Sequence, residues 1–288
     1  MSASQVHPYE STETPDLRIV PLASLIEHEF NDVQRTEPLA KRLEAEDLLK
    51  NPPIVAPLED DPEERFVVLD GANRTTALHL LGYPHVLVQV VPYANPPVTL
   101  STWHHLICGI EVRAYLDCIH DLPGVDIFAI DALHARAGLA RRELLAYTIA
   151  ADGRVFAART DARTLHEQND LLNAMVDTYK TRGRLFRAAT DNVHEARRLY
   201  ADLTGLVIFP NYEAAEVMAL ARDGELLPTG LTRHLIQGRV LRTNYPLGEL
   251  RSPDSLEAKN DRLKAWLQRK LGSKEIRFYG ESTYLFDE

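Results

Sequence analysis

The densest chemistry in this chain is the run Asp70-Gly71-Ala72-Asn73-Arg74-Thr75-Thr76. It follows an apolar stretch, Phe66-Val67-Val68-Leu69, and precedes Ala77, Leu78, Leu80 and Leu81 at helical spacing. A strand that runs straight into a helix start can hold an anion. The first N–H groups of a helix lack intrahelical partners, and the helix carries a partial positive charge there. Gly71 lets the backbone approach closely. Arg74 offers a planar fork that matches phosphate, and Asn73, Thr75 and Thr76 add neutral donors. Asp70, at the strand's end, is placed to meet a cation riding on that phosphate, directly or through water, as Mg²⁺ prefers. The same residues also fit a plain capped helix with a surface arginine. The common phosphate and catalytic signatures GxxxxGK[ST], GxGxxG and HRD are absent.

A second polar cluster lies far along the chain, in Pro228-Thr229-Gly230-Leu231-Thr232-Arg233-His234, followed by the stretch from Arg239 to Leu247. It reads as a glycine-containing turn that exposes a hydroxyl, a guanidinium and an imidazole together. That set suits a small zwitterion or phosphate, with arginine for a carboxylate and the others for neutral hydrogen bonds. Trp103, in Thr102-Trp103-His104-His105-Leu106, is either a core residue or the wall of such a pocket. In a helix, His104 and His105 would point about 100° apart and could not share a metal ion. No HExxH or CxxC pattern supports zinc.

The elements that must position these residues follow from periodicity. Leu17 to Val20 predicts a strand, Leu22 to Glu29 a turn or loop, and Thr36 to Lys50 a helix stopped by Asn51-Pro52-Pro53. Ile54 to Leu58 and Arg65 to Leu69 predict strands around a solvated acidic turn, and Val86 to Val91 another strand. Pro92 and Asn95-Pro96-Pro97 mark a boundary. Beyond it, Thr99 to His120 reads as largely helical. Ala151-Asp152-Gly153 predicts a hairpin between Leu144–Ile149 and Arg154–Ala158. Helices are expected over 162–180, 193–203, 212–221 and 255–271, a strand over 206–209, and a terminal hairpin over 275–286. The expected division is a disordered arm at 1–16, a compact α/β unit at 17–95, and a mixed, helix-rich α/β unit at 96–288.

Composition bounds the class. The chain has 288 residues, 45% hydrophobic and 26% charged, which is enough for a packed core without disulfide or metal staples. No apolar run reaches membrane-spanning length, and the N-terminus has neither the basic nor the apolar region of a signal peptide. Cys108 and Cys118 have no CxxC spacing and read as reduced thiols of a cytoplasmic protein. The net charge of −10 argues against a nucleic-acid coat.

The strand–Asp70-Gly71-Ala72-Asn73-Arg74–helix segment, with Asn51-Pro52-Pro53-Ile54-Val55 before it, resembles the ParB/sulfiredoxin-like nucleotide-binding fold. Sulfiredoxins carry a catalytic cysteine where this chain has Ala72, so their thiol chemistry is impossible here. Partition proteins of the ParB type carry a Glu-Arg in the middle of the motif, where this chain has Ala72-Asn73. The free-serine kinases carry an Asp-Gly-x-x-Arg stretch like the one here, and the Thr232-Arg233-His234 stretch is similar to theirs. The resemblance runs from about Leu17 to Leu247. It implies a phosphotransferase that uses ATP or ADP with Mg²⁺ to convert free L-serine to O-phospho-L-serine. It places the catalytic base at Glu29 of His28-Glu29, with Glu27 the nearest rival; a carboxylate suits a step that must take a hydroxyl proton. Nucleotide phosphates would lie on Gly71, Ala72, Asn73, Arg74, Thr75 and Thr76, with Asp70 organising the metal. Trp103, Thr232, Arg233 and His234 would hold the amino acid. Neither nucleic acid nor membrane is an expected partner, and the oligomeric state is left open. The other reading is a ParB-like nucleotide-binding regulator that contacts DNA or a protein. Its best support is the basic cluster Lys180, Arg182, Arg184, Arg187, which also fits a solvated helix end.

Overall fold

The computed structural model describes residues 14–278 except 32 and 95. In chain order the elements are β1 (Leu17–Pro21), a 3₁₀ turn (Leu22–Ser24), β2 (Leu25–Ile26), α1 (Val33–Glu46), β3 (Leu48–Leu49), β4 (Ile54–Pro57), β5 (Phe66–Asp70), α2 (Ala72–Leu80) and β6 (His85–Val90). There follow β7 (Val98–Thr102), β8 (His104–Cys108), α3 (Val112–His120), β9 (Asp126–Ile130), α4 (Ala132–Ala140), β10 (Ala146–Ala150), β11 (Val155–Arg159) and α5 (Leu165–Lys180). The chain continues through β12 (Arg184–Ala188), α6 (Val193–Leu199), β13 (Leu203–Ile208), α7 (Ala214–Arg222), β14 (Thr232–Ile236), β15 (Tyr245–Pro246), α8 (Leu247–Arg251) and α9 (Leu256–Gly272). No helix among the described residues is long and apolar enough to cross a membrane.

Two sheets organise the molecule. The first has five strands in the order β1-β6-β4-β5-β2, with mixed directions. Val55, Val67 and Val68 are fully buried, as a central strand pair covered on both faces requires. The second has six strands, β12-β8-β13-β10-β11-β9, every neighbour antiparallel. The second unit is therefore mixed α/β as expected, with its helices packed around a six-stranded sheet. β7 and β14 form a separate two-stranded ribbon. Its residues Val98 and Ile236 join Ala221 of α7 and the far face of the first sheet in one apolar cluster.

The packing redraws the expected 96–288 unit. Tyr245, Leu247, Leu250 and Leu263 are buried with Ile19, Val20, Val86 and Leu87, so the chain returns to its first core. Burying each such side chain is worth roughly 1.5–3 kcal/mol, enough to decide where an amphipathic helix docks. β1 is an edge strand, and α9 covers it. Asn260 accepts from Ile19 N at 2.9 Å and donates to Ile19 O at 2.8 Å, satisfying the unpaired edge.

Thr99 to His120 is not largely helical. It forms two strands and then α3, because Val98, Thr99, Thr102 and Ile107 favour extended backbone and Gly109, at φ +83°, ends the second strand. The expected helix over 193–203 stops at Leu199, and the strand after it starts at Leu203 rather than 206. The expected arm at 1–16 lies mostly outside the described residues, as does the terminal hairpin, of which residues 275–278 are neither helix nor strand. The 151–153 hairpin is present, with Ala146 opposite Ala158, and both cysteines are free thiols.

Candidate active site

β5 ends at Asp70, and Gly71 turns the chain into α2 at φ +104°. A side chain at Gly71 would meet Pro53 Cα at 3.0 Å, so both the backbone angle and the space demand glycine. Arg74 folds back across this turn. Its Nη1 donates to Asn51 O at 2.7 Å and its Nη2 to Asp70 Oδ2 at 3.1 Å. The Asn51-Pro52-Pro53 segment thus aims the guanidinium as well as ending the preceding helical stretch. The hydroxyls of Thr75 and Thr76 both donate back to Ala72 O, and Thr76 also bonds Glu27. They fix the first turn of α2 and, contrary to expectation, do not point to its open end.

A second guanidinium reaches the same place from far along the chain. Gln89, buried on β6, donates to Gly238 O at 3.0 Å and accepts from Val240 N at 2.9 Å. The residue between them, Arg239, is thereby held against Asp70 Oδ2. Sequence reasoning passed over Arg239. The only hint was its place in the stretch after His234. Burial alone would raise the Asp70 carboxyl, but the charges of Arg74 and Arg239 outweigh it and hold Asp70 below the usual carboxylate range. Asn51, Asp70, Arg74 and Arg239 line a cleft of about 170 Å³.

Glu29 lies beside this cradle. β2 runs parallel to β5 with Leu25 opposite Phe66 and Ile26 opposite Val67. β2 ends at Ile26 and the chain bends at His28, so this pairing stops short of Glu29. Segment 28–30 then pairs with Leu227 of the second unit through Leu227 N to His28 O (2.8 Å) and Phe30 N to Leu227 O (3.1 Å). The 229–232 loop closes on the carboxylate. Gly230 N donates to Oε2 at 2.9 Å, while Thr232 N and the Thr232 hydroxyl donate to Oε1. His28 stands behind, with Nδ1 donating to Val68 O at 2.6 Å and Nε2 at 2.8 Å from the Thr232 hydroxyl. The nearest rival, Glu27, is tied to Thr76.

The strand alternation of β14 separates the expected amino-acid ligands. Thr232 and His234 face the first sheet. Thr232 is engaged with Glu29 and His28, and His234 accepts from the Tyr93 hydroxyl at 2.7 Å while its other nitrogen bonds the Leu69 carbonyl. Burial, helped by His28, holds the His234 imidazole at about 3, so it is neutral at pH 7. Arg233 points the other way and stacks over Trp103 at 4.5 Å. His104 and His105 lie on a strand and face opposite sides. His105 is fully buried, donates to Thr229 O at 3.1 Å and accepts from the Tyr179 hydroxyl. Its imidazole is likewise pushed down to about 3 by burial.

The basic cluster divides. Lys180 pairs with Asp177, Arg184 with Asp202, and Arg182 with Cys118. Arg187 instead lies along Gly230, next to the loop that holds Glu29. Among the described residues no three of His, Cys, Asp and Glu gather as a metal cage. One carboxylate beside a phosphate cradle does fit Mg²⁺, which takes most of its ligands from phosphates and water.

The chain is 25% identical over 277 residues to the ATP-dependent L-serine kinase SbnI of Staphylococcus aureus, spanning 94% of this chain and 97% of that protein. The structure of SbnI with a C-terminal truncation superposes with TM-score 0.68, at 24% identity, over 90% of this chain and 97% of that one. A free serine kinase in complex with AMP superposes with TM-score 0.67, at 17% identity, over 83% of this chain and 95% of that one. The fold is that of the free-serine kinases. No family model matches the chain.

Proposed function

We propose that this protein is an ATP-dependent kinase of free L-serine that forms O-phospho-L-serine. One observation carries the reading. A carboxylate fixed by three donors, Glu29, follows His28, whose imidazole bonds the Val68 carbonyl of β5, the strand that ends at Asp70 and the start of α2. Similarity to SbnI along nearly the whole chain supports it.

In this reading the nucleotide phosphates rest on the N-terminus of α2, where Gly71 admits them and Arg74 and Arg239 offset the charge that spreads during transfer. Asp70 would hold Mg²⁺ on the phosphates, where the ion supplies charge neutralisation. Glu29 takes the proton of the serine hydroxyl as that oxygen attacks the γ-phosphorus of ATP, and the bond from that phosphorus to the β,γ-bridging oxygen breaks to release ADP. Arg233, stacked over Trp103 on the opposite face of β14 from Thr232, is turned away from the acceptor side. Thr232 and His234 act through Glu29, His28 and Tyr93 by holding the base in place. Positioning supplies most of the rate, since the protein itself makes no covalent bond.

The test is direct. The protein incubated with free serine and either ATP or ADP, with and without Mg²⁺, should yield phosphoserine by mass spectrometry with ATP and the metal. No phosphoserine under any condition refutes the assignment, and product with ADP alone corrects the donor.

Gly71→Ala should weaken nucleotide binding at least tenfold, about 1.4 kcal/mol, because it strains the turn and pushes toward Pro53 and Arg74. Calorimetric titration of wild type and variant would show it; equal affinities would remove the glycine turn from the cradle.

A further inference from the structure

We propose that Arg187 reads the carboxylate of the acceptor, so that this enzyme selects α-amino acids over neutral alcohols through a guanidinium on β12. The inference rests on the kinase reading and names how that site recognises its acceptor.

Arg233 is the guanidinium that the sequence offers for this task, but its strand turns it away from Glu29, onto Trp103. Arg187 is placed differently. A methyl group built on Gly230 would lie 2.6 Å from Arg187 Nε and 3.3 Å from its Cζ, so the guanidinium stem runs along the backbone of Gly230. The N–H of that same glycine donates to Glu29 Oε2 at 2.9 Å. With about 2.5 Å between the N and Cβ of one residue, Arg187 Nε lies within about 8 Å of the base. Serine hydrogen-bonded at its hydroxyl to one group and at its carboxylate to another spans roughly 9 Å at full reach. The two side chains are thus close enough for one small amino acid to reach both.

The charge of Arg187 is uncommitted. Its neighbours Lys180, Arg182 and Arg184 have partners, whereas Arg187 makes no ion pair with a described residue. It is exposed, and so accessible to a ligand. Gly230, at φ +69°, is the hinge of the arrangement. Any side chain there would displace the guanidinium and strain the loop that holds the base.

The experiment compares L-serine with L-serinamide, which keeps the amine and hydroxyl and lacks the carboxylate charge. In wild type, serinamide should show a much lower kcat/KM. In Arg187→Ala the serine KM should rise about 10- to 100-fold, the range of a charge-assisted pair, with nucleotide affinity unchanged. Discrimination against serinamide should fall by the same factor. Arg187→Lys should restore part of the serine KM, because it keeps the charge and loses the fork. If Arg187→Ala still discriminates fully, the proposal is overturned. It is equally overturned if Arg233→Ala takes the whole rise in serine KM. Wild type that phosphorylates neither compound while binding nucleotide refutes the kinase reading itself, a separate outcome.

Discussion

Glu29→Gln eliminates phosphoserine formation, by about 10²- to 10⁴-fold in kcat, while nucleotide affinity stays at the wild-type value. The side chains have the same shape, but an amide cannot take the proton of the serine hydroxyl. The variant also loses part of the loop clamp. Glu29 accepts from Gly230 N on one oxygen and from Thr232 N and the Thr232 hydroxyl on the other. Glutamine presents an NH₂ to one of those donor sets, leaving N–H facing N–H at a cost of about 1–3 kcal/mol. The nucleotide cradle should be untouched, because Gly71, Arg74, Asn51 and Arg239 make none of their bonds to Glu29. Phosphoserine yield by mass spectrometry and nucleotide Kd by calorimetry separate the two effects. Turnover within tenfold of wild type would remove Glu29 as the base. A parallel loss of nucleotide affinity would mean the cradle and the clamp are one unit.

The protein loses about 3 kcal/mol of folding stability between pH 7 and pH 5, most of it from His105. This imidazole is held at about 3 in the folded protein by burial, against about 6.5 in an unfolded chain. In that interval the unfolded state binds a proton that the folded state refuses. Stability is therefore complete above about pH 6.5 and declines as pH falls toward 3. For His105 alone the loss by pH 5 is about 2 kcal/mol. His234 moves the same way, discounted because it is partly open to solvent. Against a total of about 5–15 kcal/mol for an ordinary domain, this is a large fraction. Urea unfolding at pH 7, 6 and 5 measures it. His105→Gln should be less stable at pH 7, because Tyr179 and Thr229 lose a well-fitted partner, yet should show a flatter dependence on pH. A wild-type curve that is level from pH 7 to pH 5 contradicts the assignment.

The first sheet and its turn were legible because their signals are local. Phe66 to Leu69 is an unbroken apolar run, Gly71 sits where only a positive φ works, and Gly82 closes the helix. Glu29 was reachable only through family resemblance, since its meaning depends on residues about 200 positions away. The stretch around Trp103 was read as helix because Leu100, Leu106 and Ile107 have spacing that serves either period, and pairing with β14 and β13 decided for strands on both sides of Trp103. Arg239 carried no local signal. It is placed by Gln89, a buried glutamine that looks like any polar residue in the sequence. Lys180, Arg182, Arg184 and Arg187 read as one helix end, whereas Arg184 and Arg187 lie on β12, and a strand sends alternate side chains to opposite sides.

The return of Tyr245 to Leu263 to the first core has a consequence for synthesis. A ribosome releases the strands of the five-stranded sheet first, yet their apolar face near Ile19 and Val86 lacks part of its cover until α8 and α9 emerge. At 5–20 residues per second the intervening stretch takes on the order of 10 s to translate. The six-stranded unit, whose strands lie wholly between 104 and 208, is contiguous and free to fold during that delay. The molecule is thus assembled from the inside of its sequence outward, and the cleft that Asp70 and Arg74 share with Arg239 closes only after residue 239 has emerged.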